Sequence, residues 1–124
     1  MARKDPYTAD VRAAVDERDR ARCRRCHRPL YGFPFSRHHR KPRGMGGANR
    51  RDAGRLSNVV TLCGSATTPE GCHLWVESNR EAARDAGWIV PSSWDPEAVP
   101  LVDARGRQFR LLDDGGVVED RIPF

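Results

Sequence analysis

All four cysteines and all four histidines of the chain fall in four short stretches: CRRCH (residues 23–27), RHHRK (37–41), the end of LSNVVTLC (56–63) and CHLWVE (72–77). Cys23 and Cys26 have C-x2-C spacing, a tight knuckle in which backbone amides can stabilise thiolates bound to one ion. His38 and His39 are adjacent and flanked by Arg37, Arg40 and Lys41. Neighbouring cations push an imidazole toward its neutral form, which can ligate a metal or accept a proton. On a strand, adjacent side chains point to opposite faces, so two imidazoles there need not share a task, although a twist at the strand end can aim both at one cleft. His73 and Glu77 are one helical turn apart, a spacing suited to shared coordination, while an exposed carboxylate in that position can equally be solvated.

These groups need elements to hold them. Thr8 is placed to cap a helix through Val11, Ala14 and Val15 to about Arg20. YGFPF reads as a turn into SRHHRK, a short strand that Pro42 ends, and LSNVVTLC as a second strand delivering Cys63. Between them GMGGANRRDAGR reads as a mobile basic loop. One helix is expected from Cys72 to a glycine cap at Gly87, with His73, Glu77 and Arg80 on one side and Trp75, Ala82 and Ala86 on the other. WIVP, VPLVD and QFRLLDDGG suggest short strands with a hairpin near Asp113 to Gly116, a packing or partner surface, and PSSWDPEAVP is the nearest thing to a linker.

A chain of 124 residues can build one modest core, and 38% hydrophobic against 31% charged leaves it short of apolar burial. No stretch approaches the roughly 20 apolar residues of a membrane span, and MARKDPYTAD lacks the apolar centre of a signal peptide. A cytoplasmic location is expected, where four cysteines point more to metal than to disulfides. The net charge of +5 hides an asymmetry. Residues 1–55 hold 16 Lys+Arg against 6 Asp+Glu, and residues 56–124 hold 6 against 11, so the halves carry +10 and −5. Nearly all these cations are arginine, as a polyanion-binding face would have and as a solvated surface could also have.

A histidine-bearing strand, a second strand beginning near Asn58 and a helix beginning near His73 make a ββα order. With the cysteines around it, the chain resembles the zinc-stapled HNH endonucleases, especially the small ones of phages of actinobacteria, through HHRKPRGMGG, LSNVVTLCGS and GCHLWVESNR. The resemblance spans about Cys23 to Val90. It implies a small α+β fold: a ββα-metal core over 23–90, an N-terminal helical segment over 1–22 and a C-terminal extension with short strands over 91–124, together one domain.

The resemblance further implies that His39 is the general base, oriented by Asn58, and that His38 and His73 hold a catalytic divalent cation with Glu77 as a candidate third ligand. That ion would be Mg²⁺ or Mn²⁺, with Ni²⁺, Co²⁺ or Zn²⁺ also acceptable to histidine. Cys23, Cys26, Cys63 and Cys72 would form a structural Zn²⁺ site, a disulfide pair or free thiols being the alternatives. The nine-residue spacing of Cys63 and Cys72 departs from the usual C-x2-C. The implied partner is DNA, contacted through the phosphates by Arg37, Arg40, Lys41 and Arg43, with a phage terminase large subunit as a protein partner in genome packaging. A non-catalytic zinc-stapled DNA-binding module and a host restriction-type nuclease are the competing readings.

Overall fold

The computed structural model describes residues 5–42 and 51–120. Arg43 and most of the expected basic loop lie outside the described residues. Thr8 accepts a hydrogen bond from the Val11 amide and opens helix α1, Ala9–Asp19, which ends where Arg20 turns left-handed at φ 53°. Val15 is the apolar anchor of α1, packed with Tyr7, Ala53 and Val59. The helix is fixed by charge as much as by burial. The buried carboxylate of Asp19 accepts from Arg18 and Arg24 and from the amide of Thr61, while Arg18 also donates to the carbonyls of Leu56 and Val59. Burial alone would raise the Asp19 pKa, but those guanidinium contacts outweigh it and hold the group below its ordinary value.

Strands β1, Phe35–His39, and β2, Val59–Cys63, pair antiparallel with His38 opposite Val60 and His39 opposite Val59. Every residue of β2 is buried. A strand covered on both faces reads as a continuous apolar run, and VVTLC has that form. α1 packs on one face of the pair and helix α2, Cys72–Ser78, on the other.

The single helix expected from Cys72 to Gly87 is broken. α2 stops at Ser78, Asn79 takes a non-helical conformation (φ −130°, ψ 54°), and α3 runs Arg80–Asp85. The Asn79 side-chain amide donates to the Trp75 carbonyl, which also accepts from the Asn79 backbone amide. The break moves the inward phase from Ala82, which is exposed, to Ala83, which is buried. α3 closes with Gly87 at φ +83°, its amide bonded to Arg84 and that of Trp88 to Ala83, a Schellman ending. A Cβ at Gly87 would stand 2.0 Å from the Pro100 carbonyl oxygen, so the chain crossing needs glycine.

WIVP is not a strand. Trp88, Ile89 and Val90 are buried in an irregular segment, with the Val90 amide bonded to the Arg40 carbonyl. β3, Leu101–Val102, β4, Gln108–Leu111, and β5, Val117–Asp120, form an antiparallel meander, with a hairpin between Leu111 and Val117. Leu101, Phe109 and Leu111 share one apolar cluster with Leu30, Leu62, Val76 and Trp88, so the C-terminal strands complete the core. No described helix is long and apolar enough to cross a membrane.

Arg40 is fully buried, and its guanidinium donates to the carbonyls of Gly87, Ser57, Pro96 and Val99 at 2.7–2.9 Å. Burial draws its pKa down to about 9, which keeps it charged at neutral pH. The four acceptors come from chain segments that otherwise have no ladder in common. An ammonium lacks the planar fork that reaches them together. Arg40→Lys is therefore expected to lose on the order of 2 kcal/mol of stability and Arg40→Leu about 3 kcal/mol or more, read as shifts of the urea midpoint at constant slope.

Candidate functional site

The four cysteines converge. Their sulfurs lie within 4.8 Å of one another, and none is in a disulfide. Cys23 and Cys26 come from the knuckle after α1, Cys63 from the end of β2 and Cys72 from the first residue of α2. The Cys26 and Cys63 sulfurs are 3.8 Å apart. Two thiolates bound at 2.3 Å to a tetrahedral Zn²⁺ stand about 3.8 Å apart, so the spacing suits a shared ion. The eight residues between Cys63 and Cys72 are accommodated by a turn in which Gly64 adopts φ +79° and its Cα comes within 3.1 Å of where a Cβ on Gly71 would be.

The surroundings favour thiolate at Cys23. The Cys26 amide points to the Cys23 sulfur and the Cys72 amide to that of Cys63. A hydrogen bond from Cys72 holds Cys23 down at about 4, and the same bond, together with burial, pushes Cys72 up; burial also raises Cys26. Arg25 donates to the Cys72 sulfur at 3.4 Å while its guanidinium stacks 3.7 Å over the Trp75 ring. The group could hold a structural metal ion. Removing that ion with a strong chelator is expected to unfold the protein, with loss of the circular dichroism of the native state and release of one zinc per chain.

A second group gathers on the α2 face of the hairpin. Ligand-type atoms of His38, His73 and Glu77 lie within 4.8 Å of one another, with His38 buried, His73 partly buried and Glu77 exposed. The His38 and His73 rings are 5.6 Å apart. His38 places Nε2 2.7 Å from the Trp88 carbonyl; a carbonyl can only accept, so Nε2 carries the proton and Nδ1 keeps its lone pair. Burial, with smaller contributions from His73, His39 and Arg40, lowers the His38 pKa to about 4. The ring is neutral at neutral pH, and no proton must leave for it to ligate.

His39 stands apart from that group. It follows His38 on β1 and faces the other way, its ring 4.5 Å from Tyr7 in an edge-on contact, with Nε2 buried. Asn58 is fully buried beside it, accepting from the Lys41 amide at 2.9 Å and directing its own amide nitrogen at the Lys41 carbonyl. The asparagine thus fixes the backbone that leaves β1.

The cations expected on phosphate are placed otherwise. Arg40 and Lys41 are interior groups, not surface contacts. Lys41 is 2% exposed, with its ammonium 2.6 Å from Asp52 and 2.7 Å from the Trp94 carbonyl. Arg37 is partly exposed, but Nε and Nη2 are both spent on Asp16. Arg43 lies outside the described residues.

Ser36, Arg25 and the Trp88 carbonyl were not singled out by sequence. Only Ser36 had a readable signal: it sits two residues before His38, hence on the same strand face. Compared with family models, curated proteins and solved structures, the chain matches none.

The low pKa of His38 gives a signed expectation. Because the folded value is about 4 and the ordinary one 6.5, the unfolded chain takes up the proton first. The stability that neutral His38 contributes is present above pH 6.5 and is lost as pH falls toward 4. Between pH 6.5 and 5.5, wild type should lose on the order of 1 kcal/mol more than His38→Asn, compared by urea denaturation.

Proposed function

We propose that the chain is a metal-dependent HNH endonuclease that hydrolyses DNA phosphodiester bonds. The observation that carries this is the convergence of His38, His73 and Glu77, with His73 and Glu77 on the helix that also carries Cys72 of the four-thiol group. The donor set of two imidazoles and one carboxylate fits a divalent first-row cation, and Glu77 leaves the group open to solvent on one side. Such an ion, when bound, neutralises charge building on the phosphate and the leaving oxygen. The residues of the chain supply the rest. His38 and His73 are held with one lone pair each toward the shared space. In the family reading His39 removes the proton of the attacking water, and Asn58 fixes the strand end that carries it. The phosphate contacts fall to Arg20, Arg22 and Arg28, the exposed arginines around the knuckle, in place of the buried Arg40 and Lys41. A role with a phage terminase large subunit in packaging follows from the family resemblance.

One observation favours the non-catalytic DNA-binding module instead. His39 lies against Tyr7 on the opposite face of β1 from His38 and His73, with its Nε2 buried.

The two readings part on plasmid. Supercoiled DNA incubated with Mg²⁺, Mn²⁺ or Ni²⁺ is expected to become nicked or linear, and not in a chelator mild enough to spare the thiol-bound ion. His39→Ala should bind DNA and the divalent cation yet lose on the order of 10²-fold in rate. His73→Ala should require more metal. Binding without cutting in every metal, or full cutting by His39→Ala, would decide against the assigned roles. A log–log salt slope for binding that does not shrink in Arg20→Glu/Arg22→Glu would remove the knuckle from the phosphate contacts.

A further inference from the structure

The imidazole of His73 has two nitrogens, and only one of them can face an ion. Its Nδ1 is 2.9 Å from the Ser36 hydroxyl oxygen, and that hydroxyl is 2.7 Å from the Gly64 carbonyl oxygen. The order of donors along this chain is forced. A carbonyl has no proton to give, so the hydroxyl must donate to Gly64, and what it turns toward His73 is a lone pair. Nδ1 must then carry a proton, which leaves Nε2 as the free donor of the ring. Nε2 is the nitrogen next to Glu77, at 3.9 Å from Oε1, too long for a hydrogen bond that would compete for it.

We propose that Ser36 is a positioning residue that selects the tautomer of His73 and aims its Nε2 into the space shared with His38 and Glu77. The arrangement mirrors that of His38, whose Nε2 proton is taken by the Trp88 carbonyl so that Nδ1 is left free. In both cases an outer acceptor fixes which nitrogen ligates and how the ring is turned, the way metal-binding histidines are commonly held. The geometry behind it is the period of the strand. Ser36 and His38 are two apart on β1 and point to the same side, toward α2, while Gly64 follows Cys63 at the end of the paired strand. The acceptor of the Ser36 proton is therefore attached to a residue of the four-thiol group, and the orientation of His73 is tied to the same backbone that presents Cys63.

This inference rests on His38, His73 and Glu77 as ion ligands, and its test has an arm that does not. In the zinc-loaded protein without a second ion, ¹⁵N shifts of the His73 ring should show Nδ1–H and an unprotonated Nε2, and Ser36→Ala should mix the two tautomers. In calorimetric titration with Mn²⁺ or Ni²⁺, Ser36→Ala should bind on the order of 10-fold or more weakly, and Ser36→Thr, which keeps the hydroxyl, should stay within about threefold of wild type. A wild-type His73 protonated at Nε2, or equal affinity for Ser36→Ala with unchanged folding, overturns the assignment to Ser36. A wild type that takes up no second ion overturns the ligand group itself, and the ¹⁵N result still decides whether Ser36 sets the tautomer.

Discussion

The antiparallel pairing of β1 with β2 is the constraint from which the other placements follow. A strand residue has no choice of side once its register is set, and here both sides of the pair are covered, by α1 on one and α2 on the other. Ser36 and His38 are committed to α2, Arg37 and His39 to α1. A one-residue slip would exchange the two sets, bringing Arg37 against the buried Val76 side and His38 against Tyr7. The register is held from outside the ladder by the Arg18 and Asp19 contacts to Val59 and Thr61, and beyond its end by the Arg40 amide on the Asn58 carbonyl. The charges of α1 thus act on the placement of a histidine on the far side of the sheet.

The elements were largely legible because each is written in local chemistry. Thr8 suits a helix start, VVTLC has the composition of a doubly covered strand, and DDGG suits a hairpin turn. The cysteine group was legible as a set, since thiols in this number are rarely placed without a purpose, and the unusual spacing of Cys63 and Cys72 is absorbed by a glycine turn. The helix break at Asn79 was not legible. SNREAARD carries enough helical propensity to run through, and the non-helical conformation of Asn79 is a choice that tertiary packing settles. Trp88–Val90 misled for the opposite reason: apolar and β-branched residues are equally at home in a strand and in a buried irregular segment, and periodicity over three residues cannot separate them.

Around the histidine pair the sequence showed which groups were present but not which way they faced. Two adjacent imidazoles on a strand point to opposite faces unless a twist at its end aims both at one cleft, and here the strand keeps them apart. The outer acceptors that set the ring nitrogens come from residues 50 positions away for His38 and 37 for His73, distances over which no spacing rule operates. Main-chain carbonyls such as that of Trp88 leave no mark in a sequence at all.

The same limit applies to charge. Composition counts arginines, yet a guanidinium can serve solvent, phosphate or the protein's own carbonyls, and the planar fork suits the last as well as the others. In this chain Arg18, Arg24, Arg37, Arg40, Lys41 and Arg55 are all bonded to protein acceptors. A polar chain with a small core has reason to use them so. Arg40 joins three segments through four carbonyls where a longer chain could use a wider apolar layer, and Lys41 with Asp52 joins the two ends of the segment between them. The surplus of +10 in the first half is therefore divided between structure and surface. Among the described residues the exposed arginines of that half are Arg20, Arg22 and Arg28 around the knuckle between α1 and β1, and Arg51.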